Sequence, residues 1–152
     1  MKKLFKILTA MFLMLFCFSA CGGEVDKASD DAPESEFIKN EDGYYQITPE
    51  QAHEMMLKKD DYTILDVREE SEYKEGHIRN AVLLPDYEVL ERASEVLPDK
   101  NEMILVYCRS GRRSKNASAE LAAQGYVNVY EFGGIIDWPY DIVVDGENPQ
   151  VN

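Results

Sequence analysis

Short apolar runs and amphipathic stretches alternate along most of this chain. Residues 62–67 and 103–107 are apolar and β-branched without alternating polar positions, which is typical of strands buried on both faces. Further strands are predicted at residues 81–84 and 127–130, and a short one at residues 45–47. The two continuous apolar runs therefore predict the centre of a buried sheet.

Amphipathic helices are predicted between these strands. Residues 48–51 (TPEQ) have a capping Thr, Pro at the first helical position and Gln at N3, and predict a helix to about Lys59. Apolar residues at helical spacing predict a second helix at 87–97 and a third at 114–124, closed by Gly125. This alternation predicts an α/β fold with a central, mainly parallel sheet and helices on both faces.

The first 20 residues have the pattern of a secretory signal peptide. Three lysines precede an apolar run at 7–18, which is followed by Ser19 and Ala20. The run is shorter than the roughly 20 residues that a membrane-spanning helix needs. The segment FSAC resembles the bacterial lipobox, with Phe18 where Leu is usual, and this resemblance implies a lipidated Cys21. We therefore expect an exported protein that a lipid anchor holds at the outer face of a bacterial cell membrane.

The segment after Cys21 has the composition of a linker. Residues 21–43 are rich in Gly, Ser, Asp, Glu and Pro and contain few apolar residues. Such a segment buries too little apolar surface to fold, so we expect an acidic, disordered tether. The folded domain is predicted at residues 44–152, with a frayed tail.

The chain has a formal charge of −13, and removing the three leader lysines brings it to about −16. No basic stripe is left to bind phosphodiesters, so nucleic acid is not predicted as a partner. Against this acidic background, a local cluster of arginines stands out.

Cysteine content narrows the chemistry. Cys17 leaves with the predicted leader and Cys21 is the predicted lipidation site, so Cys108 is expected to be the free thiol of the domain. No cluster of residues with metal-ligand spacing is visible, and no metal site is predicted.

Cys108 lies at a predicted strand-to-helix turn. The residues 108–114 (CRSGRRS) follow an apolar strand and open a helix, so backbone N–H groups should converge there on a small anion. The helix N-terminus and nearby guanidinium groups would favour the thiolate of Cys108, which is the reactive form. Gly111 permits a positive φ and a close backbone approach. The alternative is that Cys108 is an inert buried side chain beside a solvated basic face.

Three segments resemble successive signatures of the rhodanese family. They are LDVREESEYKEGHIRNAVLLP (65–85), VYCRSGRRS (106–114) and GYVNVYEFGGIIDWP (125–139). Together with the predicted elements, the resemblance covers nearly all of residues 44–144. It implies a rhodanese-like domain and sulfurtransferase activity.

The resemblance also implies a two-step reaction on Cys108. The thiolate takes the outer sulfur of thiosulfate or a similar donor and later passes it from a persulfide to a thiol, cyanide or protein acceptor. No metal or organic cofactor is implied. The expected residues of the anion site are Arg109, Ser110, Gly111, Arg112, Arg113 and Arg68. Asp66 and His77 are expected to support the site rather than to react.

Two other functions fit the same segments. A carrier or oxyanion-binding module would hold sulfur for a partner protein without turning over a free donor. A cysteine-dependent phosphatase needs a loop one residue longer, and Ser114 stands where its arginine would be. The loop of six residues from Cys108 to Arg113 therefore favours a sulfur-containing anion over phosphate.

Overall fold

Five strands form one sheet in the computed structural model, which describes residues 37–144. Their bounds are β1 Tyr45–Gln46, β2 Tyr62–Asp66, β3 Val82–Leu83, β4 Met103–Cys108 and β5 Asn128–Gly134. The spatial order is β1-β5-β4-β2-β3, and every neighbouring pair is parallel. The two continuous apolar runs form β2 and β4, so the prediction of a mainly parallel sheet is confirmed.

Within residues 37–144, four α-helices cover the two faces of the sheet. Their bounds are α1 Pro49–Lys58, α2 Glu70–Glu75, α3 Val89–Val96 and α4 Arg112–Ala123. Along β4, Ile104, Val106 and Cys108 pack in the core cluster that includes residues of α3 and α4. Leu105 and Tyr107 point the other way, into the cluster with residues of α1. The alternation of side chains along a strand thus gives the sheet two cores.

Helix α1 begins as its sequence predicts. The Thr48 side chain accepts a hydrogen bond from the backbone N–H of Gln51, and the Gln51 side chain accepts one from the backbone N–H of Thr48. This reciprocal pair satisfies two N–H groups at the helix start.

Three differences from the sequence-based prediction bear on the site or concern a whole element. Helix α2 was not predicted, because Tyr73 is the one apolar residue among its six and no periodicity results. Helix α4 begins at Arg112 rather than at 114, since Gly111 with φ of 91° forms its N-cap. Strand β5 runs to Gly134 rather than to residue 130. Helix α4 and strand β5 therefore both extend closer to the turn that carries Cys108 than the sequence predicts.

Residues 37–43, which the sequence analysis assigned to the tether, make contacts with the domain that is predicted to begin at residue 44. The ring of Phe37 lies edge-on to Tyr130 at 6.0 Å between centroids, and Lys39 donates to the carbonyl of Val127 at 2.7 Å. A backbone bridge joins Lys39 to Tyr45. The surrounding acidic composition concealed this short antiparallel contact.

The predicted signal peptide, Cys21 and most of the predicted tether lie outside the described residues, as does the chain beyond 144. Within residues 37–144, no helix has both the length and the apolar character required to cross a membrane. The same part of the chain contains no group of three or more His, Cys, Asp or Glu residues that could hold a metal ion.

Candidate active site

Cys108 is the last residue of β4, at the carboxyl end of a central strand. Its side chain is buried, with 1% of its surface exposed. The backbone N–H of Gly111 donates to Sγ at 3.1 Å, so the turn curls back over the sulfur. The prediction that this turn gathers backbone donors around the thiol agrees with this geometry.

The surroundings of Cys108 have opposing effects on its thiol. Burial by itself raises the pKa, because it disfavours the charged thiolate. The hydroxyl of Ser114 and the backbone N–H groups of Ser114, Ser110 and Gly111 act in the other direction. Together they hold the pKa of Cys108 below its ordinary value. Four polar contacts thus favour the thiolate of Cys108 despite its burial.

Glycines allow the turn to lie close to β5. Gly134 pairs in register with Cys108. A Cβ atom on Gly134 would lie 2.3 Å from the carbonyl oxygen of Arg109 and 2.5 Å from the Cα of Ser110. No side chain fits between two backbones at that distance, so Gly134 fixes the position of the turn.

The three arginines of the turn have different surroundings. Arg113 makes a bidentate ion pair with Glu72 of α2, with Nη1–Oε2 and Nη2–Oε1 distances of 2.7 and 2.9 Å. Arg109 and Arg112 are exposed, and their guanidinium groups have no hydrogen-bond or ion-pair partner among residues 37–144. The unpaired positive charge at the turn therefore belongs to Arg109 and Arg112.

Arg68 and Asp66 pair with each other at the end of β2. The Arg68 guanidinium donates to both carboxylate oxygens of Asp66 and to the carbonyl of Gly76. The exposed fraction is 6% for the Arg68 side chain and 0% for the Asp66 side chain. The guanidinium also lies 5.6 Å from the ring centroid of Tyr107. Through these contacts, Arg68 joins the end of β2 to Gly76, the residue that follows α2. A contact between Arg68 and a bound anion stays a prediction.

His77 is held within the fold. Its ring stacks on Tyr73 with 3.7 Å between centroids, and Nδ1 lies 3.0 Å from the Tyr73 carbonyl oxygen. Its backbone N–H donates to the carbonyl of Val143, and its carbonyl accepts from the N–H of Val143. These contacts are those of a packed residue, and a role of His77 in supporting the site stays a prediction.

Two acidic residues near the turn were missed by the sequence analysis. Glu72 pairs with Arg113, and Glu131 on β5 accepts a hydrogen bond from Ser114 at 2.7 Å. Nothing local identifies Glu72, since its partner is 41 positions away. Glu131 did carry a signal, because it is a charged residue inside a buried apolar strand.

The Glu72–Arg113 pair should make stability depend on pH. The hydrogen bond from Arg113 lowers the pKa of Glu72. When the pKa of a carboxyl group is lower in the folded state than in the unfolded state, the group stabilises the fold. This stabilisation is complete above the unfolded-state pKa of about 4.3 and is lost as pH falls through the folded-state pKa. Glu72→Gln should therefore cost about 1 kcal/mol of unfolding free energy at neutral pH, with the difference shrinking in acid. Urea unfolding at several pH values measures it.

A matched control uses the exposed pair of Glu70 and Lys74 on the same helix. Glu70→Gln should change stability much less than Glu72→Gln at neutral pH, because solvent screens an exposed pair. Equal effects of the two substitutions would contradict a special role for the Arg113 pair.

Comparisons with known proteins indicate the family of this chain. A family model described as a rhodanese-like domain matches residues 48–139. Thiosulfate sulfurtransferase PspE of Escherichia coli (strain K12) is 40% identical over 73 residues, which are 48% of this chain and 70% of that protein. A tRNA uridine(34) hydroxylase of Hamiltonella defensa is 39% identical over 94 residues, but the chain spans only 26% of its length.

A solved structure described as a rhodanese with anions from E. coli has the same fold. It is 36% identical, with a TM-score of 0.52, and the match covers 55% of this chain and 98% of that one. The family model covers more than half of the chain, and the parallel sheet agrees with the rhodanese-like α/β fold. The chain therefore belongs to the rhodanese family.

Proposed function

We propose that this protein is a thiosulfate sulfurtransferase that carries sulfur as a persulfide on Cys108. The observation that supports this most directly is the thiol itself, buried at the end of β4 with a backbone N–H at 3.1 Å and a lowered pKa. Relatives named as sulfurtransferases support the same class of reaction. The choice of thiosulfate as donor is part of the proposal.

The first half-reaction needs a thiolate and a stabilised leaving group. The Cys108 thiolate attacks the outer sulfur of thiosulfate, a new S–S bond forms, and the S–S bond of the donor breaks. The electron pair of the broken bond leaves with sulfite. Preorganised N–H groups of the turn stabilise the negative charge on the persulfide and on the departing anion.

The second half-reaction returns the enzyme to its starting state. A thiol, cyanide or protein acceptor attacks the outer sulfur of the persulfide, and the bond to Sγ breaks with its electron pair left on Cys108. The lowered pKa makes the thiolate a better leaving group in this step. The same hydrogen bonds thus serve both halves of the cycle.

Arg109 and Arg112 supply the charge that admits an anion to an acidic protein. Their exposed guanidinium groups flank the turn, while the Arg113 charge is already paired. We infer that Arg109 and Arg112 bind the incoming donor and that Arg113 mainly fixes the turn. Ser110 and Gly111 contribute backbone N–H groups rather than side chains.

The membrane anchor is a proposal from the sequence. The lipobox-like segment ending in Cys21 supports lipidation and placement at the outer face of a bacterial cell membrane. Cell fractionation tests it: the Cys21→Ala variant should leave the membrane fraction, and retention there at the level of the unsubstituted chain would contradict the proposal.

The pKa of Cys108 predicts the pH profile of its reactivity. Because the pKa is lowered, the rate of thiol alkylation should reach half of its maximum at a pH below the ordinary pKa of a cysteine thiol. The thiolate is lost as pH falls through the pKa, so the rate declines in acid. Iodoacetamide labelling followed by peptide mass spectrometry measures the rate at Cys108. A midpoint at or above the ordinary value would contradict the prediction.

Turnover distinguishes the proposed enzyme from the carrier. The full chain should form thiocyanate from thiosulfate and cyanide, and Cys108→Ser should not. A persulfide that forms without turnover would instead favour the non-turnover carrier or oxyanion-binding module. Hydrolysis of an aryl phosphate that depends on Cys108 would favour the phosphatase.

A further inference from the structure

Glu131 is a buried carboxylate directly behind the turn. None of its surface is exposed. Its Oε1 atom accepts hydrogen bonds from the Ser114 hydroxyl at 2.7 Å and from the backbone N–H of Gly133 at 2.8 Å. Its Oε2 atom is buried and has no hydrogen-bond partner among the described residues. A buried carboxylate with half of its capacity unused is costly to keep, so it calls for a functional reason.

Ser114 connects this carboxylate to the nucleophile. Its Oγ lies 2.7 Å from Glu131 Oε1, 3.1 Å from the carbonyl of Gly111 and 3.3 Å from that of Gly133. Gly111 links this hydroxyl to Cys108, because its carbonyl accepts from Ser114 Oγ and its N–H donates to Cys108 Sγ at 3.1 Å. From this position, donation by the Ser114 hydroxyl stabilises the thiolate and lowers the pKa of Cys108. A serine hydroxyl has a single proton, so it can make a full donor bond to only one of these acceptors at a time.

The two charged acceptors are the strong competitors. Hydrogen bonds to an ionised oxygen or sulfur are about twice as strong as those to a neutral carbonyl. The short Ser114–Glu131 distance is that of a bond to a carboxylate. A proton given to Glu131 is withheld from Cys108.

We propose that Glu131 is a positioning residue that competes with Cys108 for the hydroxyl proton of Ser114. When Cys108 is a free thiolate, its charge draws the proton toward Sγ. When the charge lies on the outer sulfur of a persulfide, Sγ is neutral and the proton returns to Glu131. This second state rests on the proposed function, whereas the competition itself concerns only the thiol.

Other charged or titratable groups near the cluster stay constant in the test. Arg113 of α4 is paired to Glu72 of α2. The guanidinium of Arg113 also interacts electrostatically with Cys108 and with Asp86, which lies before α3. Tyr44, next to β1, interacts with Glu131. Burial raises the pKa of Tyr44, a hydrogen bond with Asn40 lowers it, and the Glu131 carboxylate raises it further. None of these groups is replaced, so a change in the thiol is attributable to Glu131 or Ser114.

The test is Glu131→Gln in the full chain, because the amide keeps an oxygen for the Gly133 N–H and removes the charge. Cys108 alkylation by iodoacetamide, followed by peptide mass spectrometry, gives the pH midpoint without any sulfur donor. The midpoint should fall by about one pH unit, since Sγ gains a larger share of the Ser114 proton. The limiting rate at high pH should fall about threefold, because a more acidic thiolate is a weaker nucleophile.

Ser114→Ala completes the experiment. On its own it should raise the midpoint, because it removes a donor to Sγ, and in its presence Glu131→Gln should cause no further shift. An unchanged or higher midpoint in Glu131→Gln would overturn the proposal. The proposal would also be overturned if Glu131→Gln lowered the midpoint by the same amount in the Ser114→Ala background. Since no donor is used, failure here is distinguishable from failure of sulfur transfer, which the thiocyanate assay measures separately.

Discussion

Gly134→Ala is expected to abolish sulfur transfer and to destabilise the fold by about 3 kcal/mol. The added methyl group would lie 2.3 Å from the carbonyl oxygen of Arg109 and 2.5 Å from the Cα of Ser110, both of them backbone atoms. The clash is with backbone and cannot be relieved by the movement of a flexible side chain, so β5 and the turn must separate. The N–H groups that surround Cys108 Sγ would then lose their positions. Thiocyanate formation and urea unfolding measure the two effects.

Gly125→Ala is the matched control. Gly125 has a positive φ, 92°, whereas Gly134 does not, and the atoms nearest to its added methyl group belong to the Lys100 side chain, at 4.0 Å. We expect it to cost about 1 kcal/mol of stability through backbone strain. Sulfur transfer should be retained in this variant. Equal activity of the Gly134→Ala and Gly125→Ala proteins would contradict the role assigned to the Gly134 contact.

Arg68→Met is expected to destabilise the protein by about 3–5 kcal/mol, because it leaves the Asp66 carboxylate buried and unpaired. Asp66 is fully buried, and both of its oxygens accept from the Arg68 guanidinium. Replacing both partners, in Asp66→Leu/Arg68→Met, should recover a large part of the loss. Chemical denaturation of the single and double variants measures the coupling.

The exposed Lys74 of α2 provides the comparison for this pair. Lys74→Met removes a cation from an ion pair with solvent-exposed partners and should have a small effect. If Arg68→Met instead left stability intact and raised only the KM for the donor, Arg68 would be a substrate-binding residue rather than a structural one.

Much of the fold is contained in local patterns. The unbroken apolar runs predicted β2 and β4, the TPEQ segment predicted the start of α1, and the turn after β4 predicted a backbone donor at the Cys108 thiol. These features depend on neighbouring residues, so a sequence can reveal them. Helix α2 lacked such a pattern and was missed because its position depends on contacts with other parts of the chain.

The division of roles among the arginines could not be predicted. The sequence places Arg109, Arg112 and Arg113 within five positions and gives no basis for separating them. Only the fold brings Glu72 to Arg113, from 41 positions away. Residues 37–43 show the same limitation, since their order depends on Tyr130 and Val127 at the far end of the domain.

If Cys108 carries transferable sulfur, the mass of its peptide should change when the full chain is treated with thiosulfate. We expect a gain of one sulfur atom at Cys108, lost again on treatment with cyanide, and no gain at position 108 in Cys108→Ser. An unchanged mass at Cys108 under conditions in which iodoacetamide labels the same thiol would contradict thiosulfate as the donor and the proposed reaction with it.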